Sequence, residues 1–314
     1  MAIEVFIDGA AGTTGLEIAD RLASRSEFSL IVLDDAERKD VSARAAAINR
    51  ADFTILCLPD DAAREASALV SSNHSRIIDA STAHRVADGW TYGFAEFRHG
   101  QREAIRTAAR VSNPGCYPTG FLALIAPLVA RGLVPADHGF CVNAVSGYSG
   151  GGKALIERFA DAEPDIGFRT YAMSLEHKHL PEMQVHAGLS RAPIFAPSVI
   201  RAMRGMVVEV PLFLDGELGF ADAQSLHDAL DDHYAGQALV RVAPIGEPAS
   251  ELLIHEGAPG DDTMTLHVYP SADGSQVRLI AMLDNLGKGA SGAAVQNLNI
   301  MAGLDETAGL RIAL

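Results

Sequence analysis

IEVFID at residues 3–8, followed at once by GAAGTTG at residues 9–15 and LEIADRLA at residues 16–23, decides the fold class of this chain. The first run is typical of a short strand, and the third spaces its apolar side chains as an amphipathic helix does. Strand, glycine turn and helix in this order predict a dinucleotide-binding turn, because glycines allow close backbone approach and a helix N-terminus offers N–H groups to a pyrophosphate. The candidate cofactor contacts are Gly9, Gly12, Thr13, Thr14 and Gly15. The spacing G-x-x-G-x-x-G is a variant of the usual fingerprint, and an ordinary strand-to-helix turn is the alternative.

The same alternation continues through the next sixty residues. Strands are predicted at 28–33, 53–58 and 76–80, with helices at 41–49 and 61–71 between them. Such alternation predicts a parallel sheet with right-handed crossovers. The second strand ends at Asp34 and Asp35, where an acidic residue would bind the ribose of NAD, but Arg38 and Lys39 follow and could hold the 2′-phosphate of NADP. From these residues alone the choice of cofactor stays open.

Beyond residue 120 the pattern changes to strands in runs. Strands are predicted at 139–145, 206–214 and 264–269, and helices at 119–131, 217–234 and 287–304. We therefore predict an α/β fold with a Rossmann-type parallel-sheet nucleotide-binding domain and an α+β catalytic and oligomerisation domain. The last helix is expected to return to the first domain. The predicted boundaries are 1–115 with 286–314 for the first domain and 116–285 for the second.

Composition and charge exclude several classes of protein. Hydrophobic residues make up 48% of the 314 residues and charged residues 21%, which is typical of a folded chain. The formal net charge of −15 argues against a nucleic-acid-binding protein. The longest apolar run, residues 121–130, is too short to span a bilayer, and residues 1–7 lack the basic start of a secretory signal. Three cysteines indicate no disulfide framework, so we expect a reducing cytoplasm and no membrane partner.

One cysteine differs from the other two. Cys57 and Cys141 are expected to be buried strand residues, whereas Cys116 lies in SNPGCYPTG at 112–120, just before a long apolar helix. Pro118 suits a first helical turn, so Cys116 is expected at or just before the helix N-terminus. There the helix dipole favours the thiolate and lowers the thiol pKa, and the same N–H groups could hold an oxyanion. The alternative is a structural cysteine in a loop.

A histidine-rich segment offers a proton partner for such a thiolate. SLEHKHLPE at 174–182 places His177 and His179 two residues apart beside carboxylates, and in an extended segment their rings would point the same way. His186 follows Glu182 by one helical turn. A zinc site and a solvated polar loop are alternatives. An acid/base histidine oriented by a carboxylate is favoured, because histidine titrates near neutral pH.

Five segments together resemble the N-acetyl-γ-glutamyl-phosphate reductase family, in its shorter form. They are the glycine turn at 9–15, SNPGCYPT at 112–119, VSGYSGGGK at 145–153, EHKHLPE at 176–182 and DNLGKGASG at 284–292. The resemblance covers essentially the whole chain. Aspartate-semialdehyde and glyceraldehyde-phosphate dehydrogenases share the architecture, but their cysteine segments differ.

This resemblance implies an NADP-dependent reduction of an acyl phosphate to an aldehyde, through a thioester on Cys116, in arginine biosynthesis. It implies that His179 is the acid/base and Glu182 its orienter. It places Arg85 on the substrate phosphate, although AHR at 83–85 departs from the more usual Asp-Phe-Arg, and a surface arginine is the alternative. Further expected contacts are Ser146, Ser149, Gly150 and His177 for substrate, and Asn285 and Lys288 for the cofactor.

A flexible loop is the alternative for the 146–153 turn, and a small-residue packing helix for the segment of Asn285 and Lys288. A homo-oligomer is expected and no metal. An aspartate-semialdehyde-type dehydrogenase and a redox-sensing regulator that only binds NADP are the alternative functions.

Overall fold

Six parallel strands form the sheet of the first unit in the computed structural model, which describes residues 2–162, 166–214 and 222–312. The strands are β1 (Ile3–Asp8), β2 (Phe28–Ile31), β3 (Phe53–Leu56), β4 (Arg76–Asp79), β5 (Thr91–Tyr92) and β6 (Arg110–Ser112), and they lie in the order β2-β1-β3-β4-β6-β5. The helices between them are α1 (Thr13–Ala23), α2 (Val41–Arg50), α3 (Asp60–Ala68) and α4 (Gln101–Thr107). This is the predicted Rossmann-type sheet: β1 has its predicted bounds, and the strands predicted at 28–33, 53–58 and 76–80 each end one or two residues earlier.

Alternation along β1 explains why this sheet has helices on both faces. Val5 and Ile7 pack into one apolar cluster with Ile18 of α1, while Phe6 packs into a second cluster with Ile48 of α2. Successive strand side chains point to opposite faces, so an apolar run such as IEVFID supplies both layers at once. The strand order reverses at β1, which opens the usual crevice for a ligand beyond the carboxyl ends of β1 and β3.

The second unit begins with a buried helix and contains a seven-stranded mixed sheet. Its elements are α5 (Cys116–Ala130), β7 (Cys141–Gly147), α6 (Gly152–Glu157), β8 (Phe168–Thr170), α7 (Leu180–Ala187), β9 (Ile194–Ile200), β10 (Met206–Phe213), α8 (Ala223–Tyr234), β11 (Val240–Val242), β12 (Met264–Pro270) and β13 (Gln276–Leu283). The strand order is β11-β12-β13-β10-β7-β9-β8, with β7–β9 and β11–β12 parallel and the other pairs antiparallel. This agrees with the predicted α+β class.

A π-helical turn, Gly287–Ser291, leads into the last helix, α9 (Gly292–Ala302), which packs in the first unit. The first unit comprises residues 2–95, 99–114 and 290–310, and the second comprises the described residues of 96–98, 115–289 and 311–312. These limits differ from the predicted boundaries by short pieces that cluster with the second unit. None of the helices in the described ranges is long and apolar enough to cross a membrane.

Three predictions need correction. The helix predicted at 119–131 begins at Cys116, because Pro118 is accommodated in its first turn. Cys141 is exposed, since it is the first residue of β7 and that strand turns alternate side chains to an uncovered face. Cys57 is half-buried and follows β3. The first five residues predicted for helix 217–234 lie outside the described residues, and the helix is seen from Ala223.

Helix α5 lies very close to the sheet at Gly120. A Cβ added there would lie 2.8 Å from Val208 Cγ2 and 2.9 Å from Val208 Cβ. Such distances are shorter than packed carbon atoms tolerate, so glycine at this position lets the helix that begins with Cys116 sit against β10.

We expect Gly120→Ala to lower the free energy of unfolding by about 1–2 kcal/mol, although alanine favours helix, because overpacking at Val208 outweighs the propensity gain. Urea denaturation measures this. In a Val208→Ala background the same change should cost less, because the contact with Val208 Cγ2 is removed while the contact with the Cβ remains. An additive loss in the double variant would contradict the proposed contact.

Candidate active site

The N-terminus of α5 presents Cys116. Gly115 is the N-cap residue in extended conformation (φ −73°, ψ 147°), and Cys116 is the first helical residue. The Gly115 N–H donates to Glu182 Oε1 at 2.7 Å, and Glu182 is 1% exposed. A carboxylate of α7 therefore fixes the backbone immediately before the thiol. The cysteine lies where a helix N-terminus can favour an anion, as the sequence predicts.

The histidine segment forms a turn, not the extended chain expected. His177 O accepts from Leu180 N at 3.0 Å, and His179 is the N-cap residue of α7. The two rings nevertheless meet, with centroids 4.7 Å apart, and His177 Nδ1 accepts the backbone N–H of His179 at 3.1 Å. Two non-glycine residues just upstream, Ala172 and Leu175, have φ of 56° and 60°. This left-handed backbone is costly and is kept only where the surroundings impose it.

His177 and His179 differ in their surroundings. Burial, and then the charge of Lys178, lower the pKa of His177 to about 4, so its ring is neutral at pH 7. Because its Nδ1 accepts a hydrogen bond, the proton of the neutral ring lies on Nε2. His179 is 6% exposed, and its assignment as the acid/base stays a prediction. The same holds for Glu182 as its orienter, since the contact described for Glu182 is to Gly115.

Two tyrosines that the sequence reasoning missed border these groups. Tyr117 donates to Ser198 O at 3.1 Å, and Tyr171 donates to the Tyr117 hydroxyl at 3.4 Å. Burial, followed by the charges of Tyr171 and Cys116, raises the pKa of Tyr117 far above its usual value. Both rings also face His177, with centroid distances of 6.3 and 5.7 Å. The position of Tyr117 next to Cys116 was the available signal for it.

A polar cluster brings together four of the predicted contacts. Asn285 Nδ2 donates to Ser149 Oγ at 2.9 Å, and Asn285 Oδ1 accepts from Gly205 N at 3.0 Å. A Cβ added at Gly150 would lie 3.3 Å from Ser146 Oγ and 3.4 Å from Asn285 Nδ2. The missing side chain therefore lets the Gly150 backbone lie close to these hydroxyl and amide groups. The contact of these groups with substrate, and the contact of Asn285 with cofactor, stay predictions.

Lys288 forms a buried ion pair that no sequence pattern indicated. Its Nζ lies 2.9 Å from both carboxylate oxygens of Glu96, and the residues are 2% and 3% exposed. At the next residue, a Cβ on Gly289 would lie 2.9 Å from Cys116 Cβ. The ion pair thus holds a turn whose backbone packs against the Cβ and Cα atoms of Cys116. The predicted contact between Lys288 and cofactor is untested.

The glycine turn of the first unit has the geometry that a dinucleotide needs. Gly9 has φ of 89°, and a Cβ there would lie 2.3 Å from Cys57 O; a Cβ at Gly15 would lie 2.6 Å from Gly9 O. Gly12 is the N-cap residue of α1, and Thr13 and Thr14 are its first residues. A backbone without side chains at the start of a helix fits a pyrophosphate. Asp8, at the end of β1, is buried and paired with Arg44 at 2.8 Å.

The predicted ribose region follows β2 as an exposed turn. Asp34 Oδ1 accepts from Ala36 N and Glu37 N at 2.8 Å each. Arg38 pairs with the side chain of Asp35, and its Nε donates to Asp34 O at 3.3 Å. Lys39 ends the same 3-10 turn and is exposed. Both cations lie beyond the carboxyl end of β2, where the 2′-substituent of a bound dinucleotide would be recognised.

Arg85 is 8% exposed, which rules out the alternative of a surface arginine. Its Nε donates to Asn113 O at 3.0 Å and its Nη2 to Ala80 O at 3.2 Å. The neighbouring His84 lies 2.6 Å from Asp79 Oδ2 and stacks on Trp90 with centroids 4.0 Å apart. The departure from Asp-Phe-Arg thus keeps a ring before the arginine and adds an anchor to Asp79.

No cluster of three or more His, Cys, Asp or Glu side chains in the described part of the chain is arranged to hold a metal ion. The zinc alternative for the histidine segment therefore has no structural support.

Comparison with known proteins places the chain in a family. Residues 4–108 match the model of the semialdehyde dehydrogenase NAD binding domain, and residues 116–285 match that of the semialdehyde dehydrogenase dimerisation domain. N-acetyl-gamma-glutamyl-phosphate reductase of Brucella anthropi is 51% identical over 96% of this chain and 99% of its own length. The same enzyme of Sinorhizobium medicae is 50% identical over 96% and 99%. The chain belongs to the N-acetyl-γ-glutamyl-phosphate reductases.

Solved structures of other proteins have a similar fold. Aspartate semialdehyde dehydrogenase II of Vibrio cholerae, complexed with ASA, is 16% identical with a TM-score of 0.71, over 96% of this chain and 99% of that chain. The Francisella tularensis aspartate semialdehyde dehydrogenase is 13% identical with a TM-score of 0.69, over 96% and 100%. At such identity the likeness describes the architecture alone. The chain is thus an oxidoreductase by family and shares its fold with semialdehyde dehydrogenases.

The lowered pKa of His177 predicts a pH-dependent stability. Its pKa in the folded chain lies below the ordinary value of about 6.5, so between about pH 6.5 and pH 4 the unfolded chain binds more protons. This contribution is complete above pH 6.5 and is lost as the pH falls toward 4. We expect the free energy of unfolding to fall less steeply over this range in His177→Asn than in the unmodified chain. Urea midpoints at pH 4.5, 5.5 and 7 test it, and parallel curves would refute the pKa shift.

Proposed function

We propose that this chain reduces N-acetyl-γ-glutamyl phosphate to N-acetylglutamate semialdehyde with release of phosphate, using NADPH. The observation that carries the proposal is Cys116 at the first position of α5, with its preceding backbone fixed by Glu182, in a member of this reductase family. A thiol at a helix N-terminus suits nucleophilic attack, and a covalent route divides one difficult displacement into two easier steps.

In the proposed reaction the Cys116 sulfur attacks the acyl carbonyl carbon, a C–S bond forms, and the C–O bond to phosphate breaks, leaving a thioester. The N–H groups at the start of α5 stabilise the oxyanion that forms on attack. When bound, the nicotinamide supplies the hydride that reduces this thioester. His179 protonates the resulting thiohemiacetal oxygen and takes the proton back as the C–S bond breaks and the aldehyde leaves. The net reaction consumes one proton, which ends on the released phosphate.

Placement of the substrate is the second part of the proposal. Arg85, which is buried and donates to two backbone carbonyl oxygens, is the residue we assign to the phosphate group, because a guanidinium suits a phosphate. Ser146, Ser149 and Gly150 supply polar groups for the acyl phosphate, and neutral His177 donates from Nε2. Asn285 and Lys288 support these groups and the turn before α9.

The oligomeric state, the cellular compartment and the pathway are proposed from the family. The match to a dimerisation domain supports a homo-oligomer, and the exposed Phe213 and Leu253 are side chains that a second copy could cover. We place the enzyme in the cytoplasm and in arginine biosynthesis, in keeping with the names of its relatives and its lack of a disulfide framework.

The proposed preference for NADP⁺ over NAD⁺ can be tested at the turn after β2. We expect Arg38→Ala with Lys39→Ala to raise the KM for NADP⁺ by about 10- to 100-fold and to leave the KM for NAD⁺ nearly unchanged, because only NADP⁺ carries the 2′-phosphate. Arg50→Ala, another exposed arginine of the first unit, is the control. Equal shifts for both cofactors would overturn the assignment of this turn.

The reaction itself is tested by phosphate-dependent reduction of NADP⁺, with N-acetylglutamate semialdehyde compared with aspartate semialdehyde. We expect turnover of the first compound to be strongly preferred. Cys116→Ser should lower it by roughly 10³-fold or more and leave NADP⁺ binding, measured by fluorescence titration, intact.

Cys141→Ser is the matched control and should retain full activity, because that thiol is exposed at the start of β7. Robust turnover by Cys116→Ser would defeat the thioester route. Preference for aspartate semialdehyde would support the alternative dehydrogenase.

A further inference from the structure

An arginine outside the predicted site lies over the ring of Tyr171, a residue that borders the site. Arg169, in the edge strand β8, has its guanidinium carbon 4.7 Å from the ring centroid of Tyr171. The side chain is half-buried and lies opposite Val199 of β9 in the sheet register. Tyr171 follows directly after β8, and its ring forms a platform for the guanidinium.

Among the residues that the structure describes, Arg169 has no carboxylate partner. Within the described ranges, no Asp or Glu side chain forms an ion pair with it, although acidic residues outnumber basic ones by 40 to 25 in the chain. Several other arginines are paired with carboxylates, as Arg204 is with Asp284 at 2.9 Å. A planar cation fixed by a neutral ring keeps its N–H edge available for a planar anion, such as a carboxylate.

The platform is connected to the nucleophile. The Tyr171 hydroxyl donates to the hydroxyl of Tyr117, and Tyr117 directly follows Cys116. Burial is the main cause that raises the pKa of Tyr171 to about 12, and the charge of the Cys116 thiolate adds to it, whereas the Tyr117 hydroxyl and Arg169 lower it. The Tyr171 hydroxyl is therefore affected by the charges of both Cys116 and Arg169.

We propose that Arg169, oriented by Tyr171, binds the α-carboxylate of the acyl chain and so selects substrates that carry this group. The inference rests on the proposed function, which sets the reacting carbonyl at Cys116. In N-acetyl-γ-glutamyl phosphate the α-carboxylate carbon is four C–C bonds from that carbonyl carbon, which spans roughly 5 Å when extended. An anion at that distance from the reacting carbon needs a cation other than the one that holds the phosphate.

The test compares two aldehydes in the phosphate-dependent reduction of NADP⁺. N-acetylglutamate semialdehyde and 4-acetamidobutanal differ only in the α-carboxylate. We expect the unmodified enzyme to prefer the carboxylated compound by about 10- to 100-fold in kcat/KM, as a charge-assisted contact would give. Arg169→Gln should remove most of this preference by lowering kcat/KM for the carboxylated compound alone. Unchanged turnover of 4-acetamidobutanal reports that the variant is folded.

Further variants separate recognition from a structural role. Tyr171→Phe keeps the ring and should keep the preference, whereas Tyr171→Leu should lose part of it. Arg131→Gln, which removes an exposed arginine paired with Asp232 at the end of α5, is the control and should behave as the unmodified enzyme.

A preference that survives Arg169→Gln, or an equal loss with both aldehydes, would overturn the inference. So would a rise in the KM for phosphate with the preference intact, which would place phosphate at Arg169. An unmodified enzyme inactive on both aldehydes would instead overturn the proposed function, and this inference with it.

Discussion

The hydrogen bond from Gly115 N–H to Glu182 is the contact on which the arrangement of the second unit depends. It joins the residue before Cys116 to the first turn of α7, so the two helices that carry the thiol and the histidine segment are fixed at their starting ends. Helix α5 is buried from Tyr117 to Leu128 and cannot shift without disturbing the sheet beneath it. The position of the sulfur is therefore set by packing along fifteen residues and by one buried carboxylate.

Buried charges elsewhere in the chain act on loops more than on overall stability. Lys288 with Glu96, Arg204 with Asp284 and Asp8 with Arg44 each place a charge pair where desolvation offsets much of the attraction. Each pair lies at the end of a strand or at the turn after it, where backbone geometry is least determined by the sheet. Such pairs fix a loop conformation that apolar side chains of similar size would leave less defined.

Local patterns were enough to predict the first unit and the place of Cys116. Each of these signals is local. The glycine turn, each strand or helix, and the apolar helix that begins near Pro118 are all recognised within fewer than twenty residues. What sequence reasoning missed depends on distant partners: Glu96 is 192 positions from Lys288, and Tyr171 is 54 from Tyr117. The turn of the histidine segment was not predicted, since it follows left-handed backbone at Ala172 and Leu175, residues without a turn signature.

The two histidines two residues apart illustrate how one short motif yields two different groups. His177 is held neutral by burial, and it accepts the N–H of His179 through Nδ1, which fixes its tautomer and its orientation. A ring with a pKa near 4 is poorly matched to proton transfer at neutral pH, which is why the proposed acid/base role goes to His179 and not to His177. In that proposal the neutral ring of His177 also limits repulsion of a protonated His179. The proposed substrate contact and the proposed proton carrier then lie with ring centroids 4.7 Å apart.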